Sequence, residues 1–429
     1  MTGKRAPLSY QLYNAVVHLA FLIGFPVFFL YSLLTGQYRD GLQDRLGFPD
    51  LPSVANDGGR VWLHAASVGE VQAARALLPV LREELPDAVL MVSTMTVQGL
   101  RVARAQLGSD ITCFLAPVDL PFAVKRTAYR ARPDLYIGLE TELWPNLLLH
   151  LRRKGIRMAL LNGRLSERSF GHYRLIAGLA GKVLGSFDRI AAITEADARR
   201  FVALGADPAA MEVTGNVKYD RSLPGGMQIV ESYRQRLGIA PDQPVLIAGS
   251  TRGGEEKLLL PAWRELRQKW PELVFILAPR HLERLAEVKA LLAAAGEEHD
   301  LLSELPPRRR PIVLVDTMGD LAGLYALGTF IFCGGSLVER GGHNILEAAA
   351  WGKPVFYGPH MKDFADAKEI LEAAGAGFQI DSQAALTAAI LELAAHPQAY
   401  ARAAQGAAAA ARSQTGAARR QARIAASII

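Results

Sequence analysis

Two clusters of carboxylates and glycines carry the residue types that chemistry needs: His64-Ala65-Ala66-Ser67-Val68-Gly69-Glu70 and Glu339-Arg340-Gly341-Gly342-His343-Asn344-Ile345-Leu346-Glu347. Each lies where a strand pattern hands over to a helix pattern. Glu70 falls near the start of the helix expected from Val71. A carboxylate there complements the helix dipole, worth ~0.3 to 1 kcal/mol. It can equally act as a general base, aimed by a turn whose small residues leave room for a substrate. Glu140, in Glu140-Thr141-Glu142-Leu143-Trp144-Pro145-Asn146, ends a second strand pattern and is placed to stabilise transition-state charge. Lys218, in Gly215-Asn216-Val217-Lys218-Tyr219-Asp220, closes the first half, and its ammonium can offset a departing phosphate. Arg164 and Arg168, within 162–169, could grip a phosphate or carboxylate in the same half.

The second half reads as a nucleotide site. Pro279 and Arg280 end a strand pattern and bring a guanidinium to its carboxyl end. Met318, Gly319 and Asp320 form a glycine-bearing turn that lets backbone approach a base or ribose. Gly334-Gly335 continues through Gly341-Gly342 into a helix expected from Asn344, whose start offers free amides and roughly half a positive charge. Asn344 and Glu347, three apart, share a face, with Ile345 and Leu346 between them. Glu347 would accept the ribose hydroxyls and Asn344 would reach the phosphate side.

The elements that must position these groups alternate. Strand patterns fall at 61–64, 88–93, 111–115, 135–138, 158–161 and 190–194, then at 245–248, 273–278, 312–315, 330–333 and 354–357. Between several of them lie amphipathic stretches such as 71–85. Strand and helix in turn predict parallel sheets with right-handed crossovers, whose ligands bind beyond the carboxyl ends of the strands. A glycine- and proline-rich break at 221–244 reads as a linker. The expected division is 1–45 as a hydrophobic anchor, 46–220 as the first domain, 221–244 as linker and 245–429 as the second domain with its terminal helices.

Length and composition bound the rest. A chain of 429 residues with 50% hydrophobic content exceeds one ordinary core and is no disordered tail. Cys113 and Cys333 lie in apolar runs without metal-ligand spacing, which fits a reducing compartment. The net charge of +6 is modest, and no basic stripe interleaved with aromatics points to nucleic acid. Residues 12–34 carry no formal charge, and their length matches the ~20 residues of a membrane helix. They are read as a retained anchor that spans the bilayer or lies at its surface.

These motifs in this order, at 64–70, 140–146, 162–169, 215–220, 279–284, 318–320 and 334–347 behind an apolar N-terminal segment, resemble the 3-deoxy-D-manno-octulosonic acid (Kdo) transferases of lipid A biosynthesis. The resemblance implies an α/β GT-B fold, two Rossmann-like domains facing a cleft, with an N-terminal membrane-anchor helix. It also implies transfer of Kdo from CMP-Kdo to lipid IVA, the lipid A precursor, by an enzyme held among inner-membrane lipids with its catalytic domains on the cytoplasmic face. Carried over residue by residue, Glu70 is the proton acceptor, and Glu140 and Lys218 are the transition-state stabilisers. Pro279, Arg280, Met318, Gly319, Asp320, Asn344, Ile345, Leu346 and Glu347 match the CMP-binding positions. No cofactor is implied, and no Asp-x-Asp run offers a metal site. Two positions depart from the family pattern: Asp320, where Glu is frequent, and Arg252, where His is common. The alternatives are a GT-B-like nucleotide-sugar epimerase or hydrolase, and a membrane-tethered nucleotide-binding scaffold.

Overall fold

The computed structural model describes residues 8–35, 41–51, 58–220 and 226–429. It divides into two compact units, Met1–Asp220 with Gly416–Ile429, and Arg221–Thr415. The first unit is built on seven strands: β1 (Arg60–His64), β2 (Val89–Thr94), β3 (Thr112–Leu115), β4 (Leu135–Leu139), β5 (Arg157–Gly163), β6 (Arg189–Ala192) and β7 (Met211–Val213). Their order is β3-β2-β1-β4-β5-β6-β7, and every pairing is parallel. Helices cover both faces, so successive residues of β1 enter opposite cores: Val61 and Leu63 join one apolar cluster, Trp62 the other.

The second unit repeats the scheme with β8 (Val245–Thr251), β9 (Val274–Pro279), β10 (His299–Leu301), β11 (Ile312–Leu314), β12 (Phe330–Cys333), β13 (Val355–Tyr357) and β14 (Gly377–Gln379). Its order is β10-β11-β9-β8-β12-β13-β14, again parallel throughout. Three of the fourteen strands, β7, β10 and β14, have no counterpart in the sequence reading. Each lies at a sheet edge and carries a polar residue or glycine (Met211-Glu212-Val213, His299-Asp300-Leu301, Gly377-Phe378-Gln379), so no apolar run marks it, whereas the equally short β11 and β13 are apolar throughout. Both cysteines are buried thiols.

The helices that matter to the site are α1 (Leu8–Thr35), α2 (Val68–Glu84), α3 (Pro121–Ala131), α4 (Pro145–Arg153), α5 (Gly226–Leu237), α6 (Glu256–Lys269), α7 (Leu346–Ala349) and α8 (Ala417–Ala426). Over Leu8–Leu30, α1 is long and apolar enough to cross a membrane, and Leu12, Leu19, Leu22, Ile23 and Val27 lie exposed along it. Its first turns are tied to the first unit: the Tyr13 hydroxyl donates to Asp119 Oδ2 (2.7 Å) and the Tyr10 hydroxyl to Asn146 Oδ1 (2.7 Å). Residues 1–7 and 36–40 of the expected anchor, and 221–225 of the expected linker, lie outside the described residues.

Two boundaries expected from the sequence are corrected. The linker stretch is largely α5, whose Tyr233 hydroxyl donates to Asp320 in the second unit (2.5 Å). Residues 416–429 belong to the first unit, because α8 packs Ala417, Ala418, Ala422 and Ala425 into the core that also holds Leu77 and Leu81 of α2. Small side chains on one face let α8 lie close against that core.

α8 also delivers a polar clamp. Gln421, fully buried, accepts from Asn162 N (2.9 Å) and donates to Thr214 Oγ1 and Gly215 O (both 2.9 Å). Gln421→Leu strands one donor and two acceptors in the interior, a loss of about 2 to 4 kcal/mol. We expect a lower urea midpoint for the first unit, with faster hydrogen exchange at Asn162; an unchanged midpoint would show the clamp to be dispensable.

Candidate functional site

The strand order of the first sheet reverses between β1 and β4, the switch point where open α/β sheets bind ligands. Glu70 follows β1 and Glu140 follows β4. The sequence therefore places its two chosen carboxylates on the loops flanking that point.

Glu70 occupies the first turn of α2 and is only 5% exposed. Ser67 caps the helix, accepting weakly from Glu70 N (3.4 Å), while its hydroxyl donates to Glu70 Oε1 (3.0 Å) and Ala66 N donates to Oε2 (2.7 Å). This is a variant of the capping box, so the structural reading of Glu70 holds as well. Capping does not account for its electrostatics. Burial, followed by the charges of Glu140 and Glu142, pushes the Glu70 carboxyl up to about 8, against the opposing hydrogen bonds from Ala66 and Ser67.

Glu140 pairs with Lys218 in a short ion pair, both side chains partly exposed. Its backbone is left-handed (φ 56°), an uncommon conformation for a long side chain. Glu140 N donating to Leu161 O (3.0 Å) helps hold it there. Lys218 stands on a short 3-10 turn fixed by Asn162, whose Oδ1 accepts from Val217 N (3.0 Å). The Lys218 ammonium also borders the Ser67–Glu70 turn, since a Cβ built on Gly69 would lie 3.9 Å from Nζ. The ammonium thus has Glu140 as its ion-pair partner and the turn that carries Glu70 beside it. Glu142, whose carboxyl burial raises, accepts from Trp144 Nε1 (2.8 Å) and borders an apolar cavity of about 290 Å³ walled by Trp144, Tyr173, Ile176 and Leu179. His64, set aside in the sequence reading, is fully buried beside Ser93 and stays neutral, held to about 4 by burial.

In the second unit Arg280 follows β9, exposed, its amide donating to Thr251 O (3.0 Å). It belongs to a cluster of basic side chains with Arg252, His281, Arg340 and the neutral His343. Burial and the charges of Arg280, Arg252 and His281 hold His343 down at about 4, and Arg252 is lowered by burial and by Arg280 and Arg340. Arg252 Nη1 meets His281 Nε2 at 2.5 Å, and Arg252 Nε is buried without a hydrogen-bond partner among the described residues. Arg252 therefore adds a permanent positive charge beside Arg280 and Arg340.

The remaining nucleotide candidates divide. Met318 is 74% exposed and Gly319 (φ 94°) has open space where a Cβ would be, so that turn is accessible. Both oxygens of Asp320 are engaged, by the hydroxyls of Tyr233 and Thr317. The helix expected from Asn344 is corrected to the single turn α7, too short to develop a strong dipole. Ile345 and Leu346 are buried and can offer a ligand only backbone. Asn344 Nδ2 reaches Glu347 Oε1 at 3.4 Å, so these two do share a face.

Sequence reasoning passed over the supports. Glu255, fully buried before α6, accepts from four amides: Arg252 N (2.8 Å), Gly335 N (2.7 Å), Ser336 N (3.0 Å) and Leu337 N (2.9 Å). It shapes the glycine loop after β12. A carboxylate pair, Glu255-Glu256, at the end of an apolar strand was the available signal.

The sequence model of a family described as 3-Deoxy-D-manno-octulosonic-acid transferase (kdotransferase) matches residues 40–221. A 3-deoxy-D-manno-octulosonic acid transferase of Haemophilus influenzae is 34% identical over 358 residues, 83% of each chain. One of Bordetella pertussis is 34% identical over 373 residues, 84% of this chain and 86% of its own. Among solved structures, a UDP-GlcNAc 2-epimerase of Neisseria meningitidis matches 82% of this chain and 97% of its own, with TM-score 0.53 and 15% identity, a likeness of fold.

Titration of Glu70 gives the site a signature. The folded carboxyl keeps its proton up to about 8, whereas the unfolded one releases it near 4.5. Between these values the folded protein binds more protons, so stability falls as pH rises. Glu70→Gln should escape that fall: urea midpoints of the variant and the parent should diverge in the variant's favour across this window. A pH-independent difference would mean Glu70 ionises as an ordinary surface carboxylate.

Proposed function

The chain belongs to the 3-deoxy-D-manno-octulosonic acid transferase family and is a glycosyltransferase, and from that premise we propose that it moves Kdo from CMP-Kdo to lipid IVA with inversion at the anomeric carbon. The observation that carries this reading is the buried Glu70, held near neutrality beside the Glu140–Lys218 pair at the switch point of the first sheet.

Glu70 takes the proton of the acceptor hydroxyl as that oxygen bonds to the anomeric carbon. The bond from that carbon to the CMP phosphate breaks, and CMP leaves with the electron pair. Positive charge develops on the sugar in an oxocarbenium-like transition state. Glu140 stabilises that charge and holds Lys218 in place. Arg280, with Arg252 and the open turn at Met318, Gly319 and Asp320, receives the anionic donor, and Asn344 and Glu347 receive the ribose. The apolar cavity beside Glu142 and Trp144 suits part of a lipid acceptor, and α1 holds the enzyme at the cytoplasmic face of the inner membrane where that acceptor resides. An epimerase or hydrolase is not favoured, since the likeness to the epimerase is one of fold.

Purified protein given CMP-Kdo and lipid IVA should yield a Kdo-bearing lipid by mass analysis. In that assay kcat/KM should rise with pH toward about 8 as Glu70 ionises. Glu70→Gln should keep CMP affinity while transfer drops on the order of 10²- to 10⁴-fold. Near-normal transfer by the variant would remove Glu70 from the role.

A further inference from the structure

A second cavity in the first unit lies away from this chemistry. It occupies the groove between α3 and α4, has a volume of about 690 Å³, and reaches Asp134 and Ile156 at the amino ends of β4 and β5. Glu140 sits past the opposite end of β4, six residues from Asp134 and so roughly 20 Å away at about 3.3 Å per residue. The groove is lined by Lys125, Arg126, Arg132, His150 and Lys154, with Asp134 as the sole acidic lining residue. Asp134 Oδ2 already accepts from Arg60 N (2.8 Å).

The fold itself explains only some of these cations. Arg132 and Lys154 cap the carboxyl ends of α3 and α4, where positive charge complements the dipole. Lys125 and Arg126 lie mid-helix, exposed, where the dipole rewards no cation. Among the described residues none of Lys125, Arg126, Arg132 or Lys154 forms a salt bridge. Arg126 stacks between Phe48 (4.8 Å) and Phe122 (5.6 Å), and Arg132 lies over Tyr129 (5.2 Å), so aromatic rings orient the guanidinium groups. Burial, Lys154, Arg153 and Lys125 together lower His150, a sign that the positive charges converge.

The walls between these charges are apolar: Phe122, Leu151 and Ile156. Phe122 also meets Phe21 of α1 edge-on, ring centroids 5.9 Å apart. The groove is therefore continuous with the exposed apolar helix. We propose that it binds the phosphodiester headgroup of an anionic phospholipid, with the headgroup among Lys125, Arg126 and Lys154 and the start of the acyl chains along Phe122 toward α1. The site extends the membrane-anchor reading of α1: the helix supplies depth in the bilayer, and the groove supplies selectivity for anionic lipid and fixes how the first unit lies on the surface.

The test uses the full chain with vesicles of phosphatidylcholine alone or mixed with phosphatidylglycerol. Lys125→Ala/Arg126→Ala/Lys154→Ala should bind the mixed vesicles roughly tenfold or more weaker than the parent. Its binding to phosphatidylcholine, which α1 alone sustains, should be unchanged. Arg101→Ala/Arg199→Ala/Lys257→Ala, removing equal charge elsewhere, should keep the preference. In detergent the groove variant should transfer Kdo as the parent does, so that a parent inactive in detergent speaks against the transferase chemistry alone. An unaltered preference for phosphatidylglycerol in the groove variant, an equal loss in the control, or full competition by inorganic phosphate would each overturn the proposal.

Discussion

The functional groups of both units stand on loops whose backbone amides are captured by buried side chains. A parallel strand that ends at a ligand site hands its chain to a loop with no ladder to satisfy it, and an unpaired buried amide is too costly to leave. Glu255 collects four such amides, Asp119 accepts from Asn146 N (2.9 Å) and Leu147 N (2.8 Å), and Asn162 with Gln421 fixes the turn that carries Lys218. These residues touch no substrate in the proposed reaction. They decide where the residues that do will point.

Upon this frame the two units carry opposite electrostatics. In the first, the negative charges of Glu140 and Glu142 help burial keep a proton on Glu70 up to about 8. In the second, burial, joined by the charges of Arg280, Arg252 and His281, holds His343 neutral. The acidic group suits the removal of a proton and the support of a cationic sugar. The basic one suits an anionic leaving group. In the proposed reaction each unit would meet charge of the sign opposite to its own.

How much of this was legible depended on the length scale of each signal. Strands with an apolar run were found, the three-residue β11 and β13 among them, while the edge strands β7, β10 and β14, each broken by a polar residue or glycine, were not. Glu70, Glu140 and Lys218 were legible because each follows a recognisable strand or turn, yet the reason Glu70 is perturbed, its burial and its closeness to Glu142 as well as Glu140, is tertiary. The helix at Asn344 was overread: glycine pairs mark a turn but do not set the length of the next element, and only one helical turn forms. The destination of residues 416–429 was hidden most completely, because an alanine-rich helix fits any flat apolar face, and which face it finds is decided by Gln421 and its three partners.

That last helix has a bearing on how the molecule comes into being. The second unit is one uninterrupted stretch, whereas the first waits for residues 416–429, made after the entire second unit. A ribosome making this chain therefore presents a second unit able to complete its core while the first still lacks a wall of its own. Until α8 docks, Asn162 and the turn bearing Lys218 have no Gln421 to hold them. The order of synthesis thus sets the order in which the two cores can close, with the Lys218 turn fixed last.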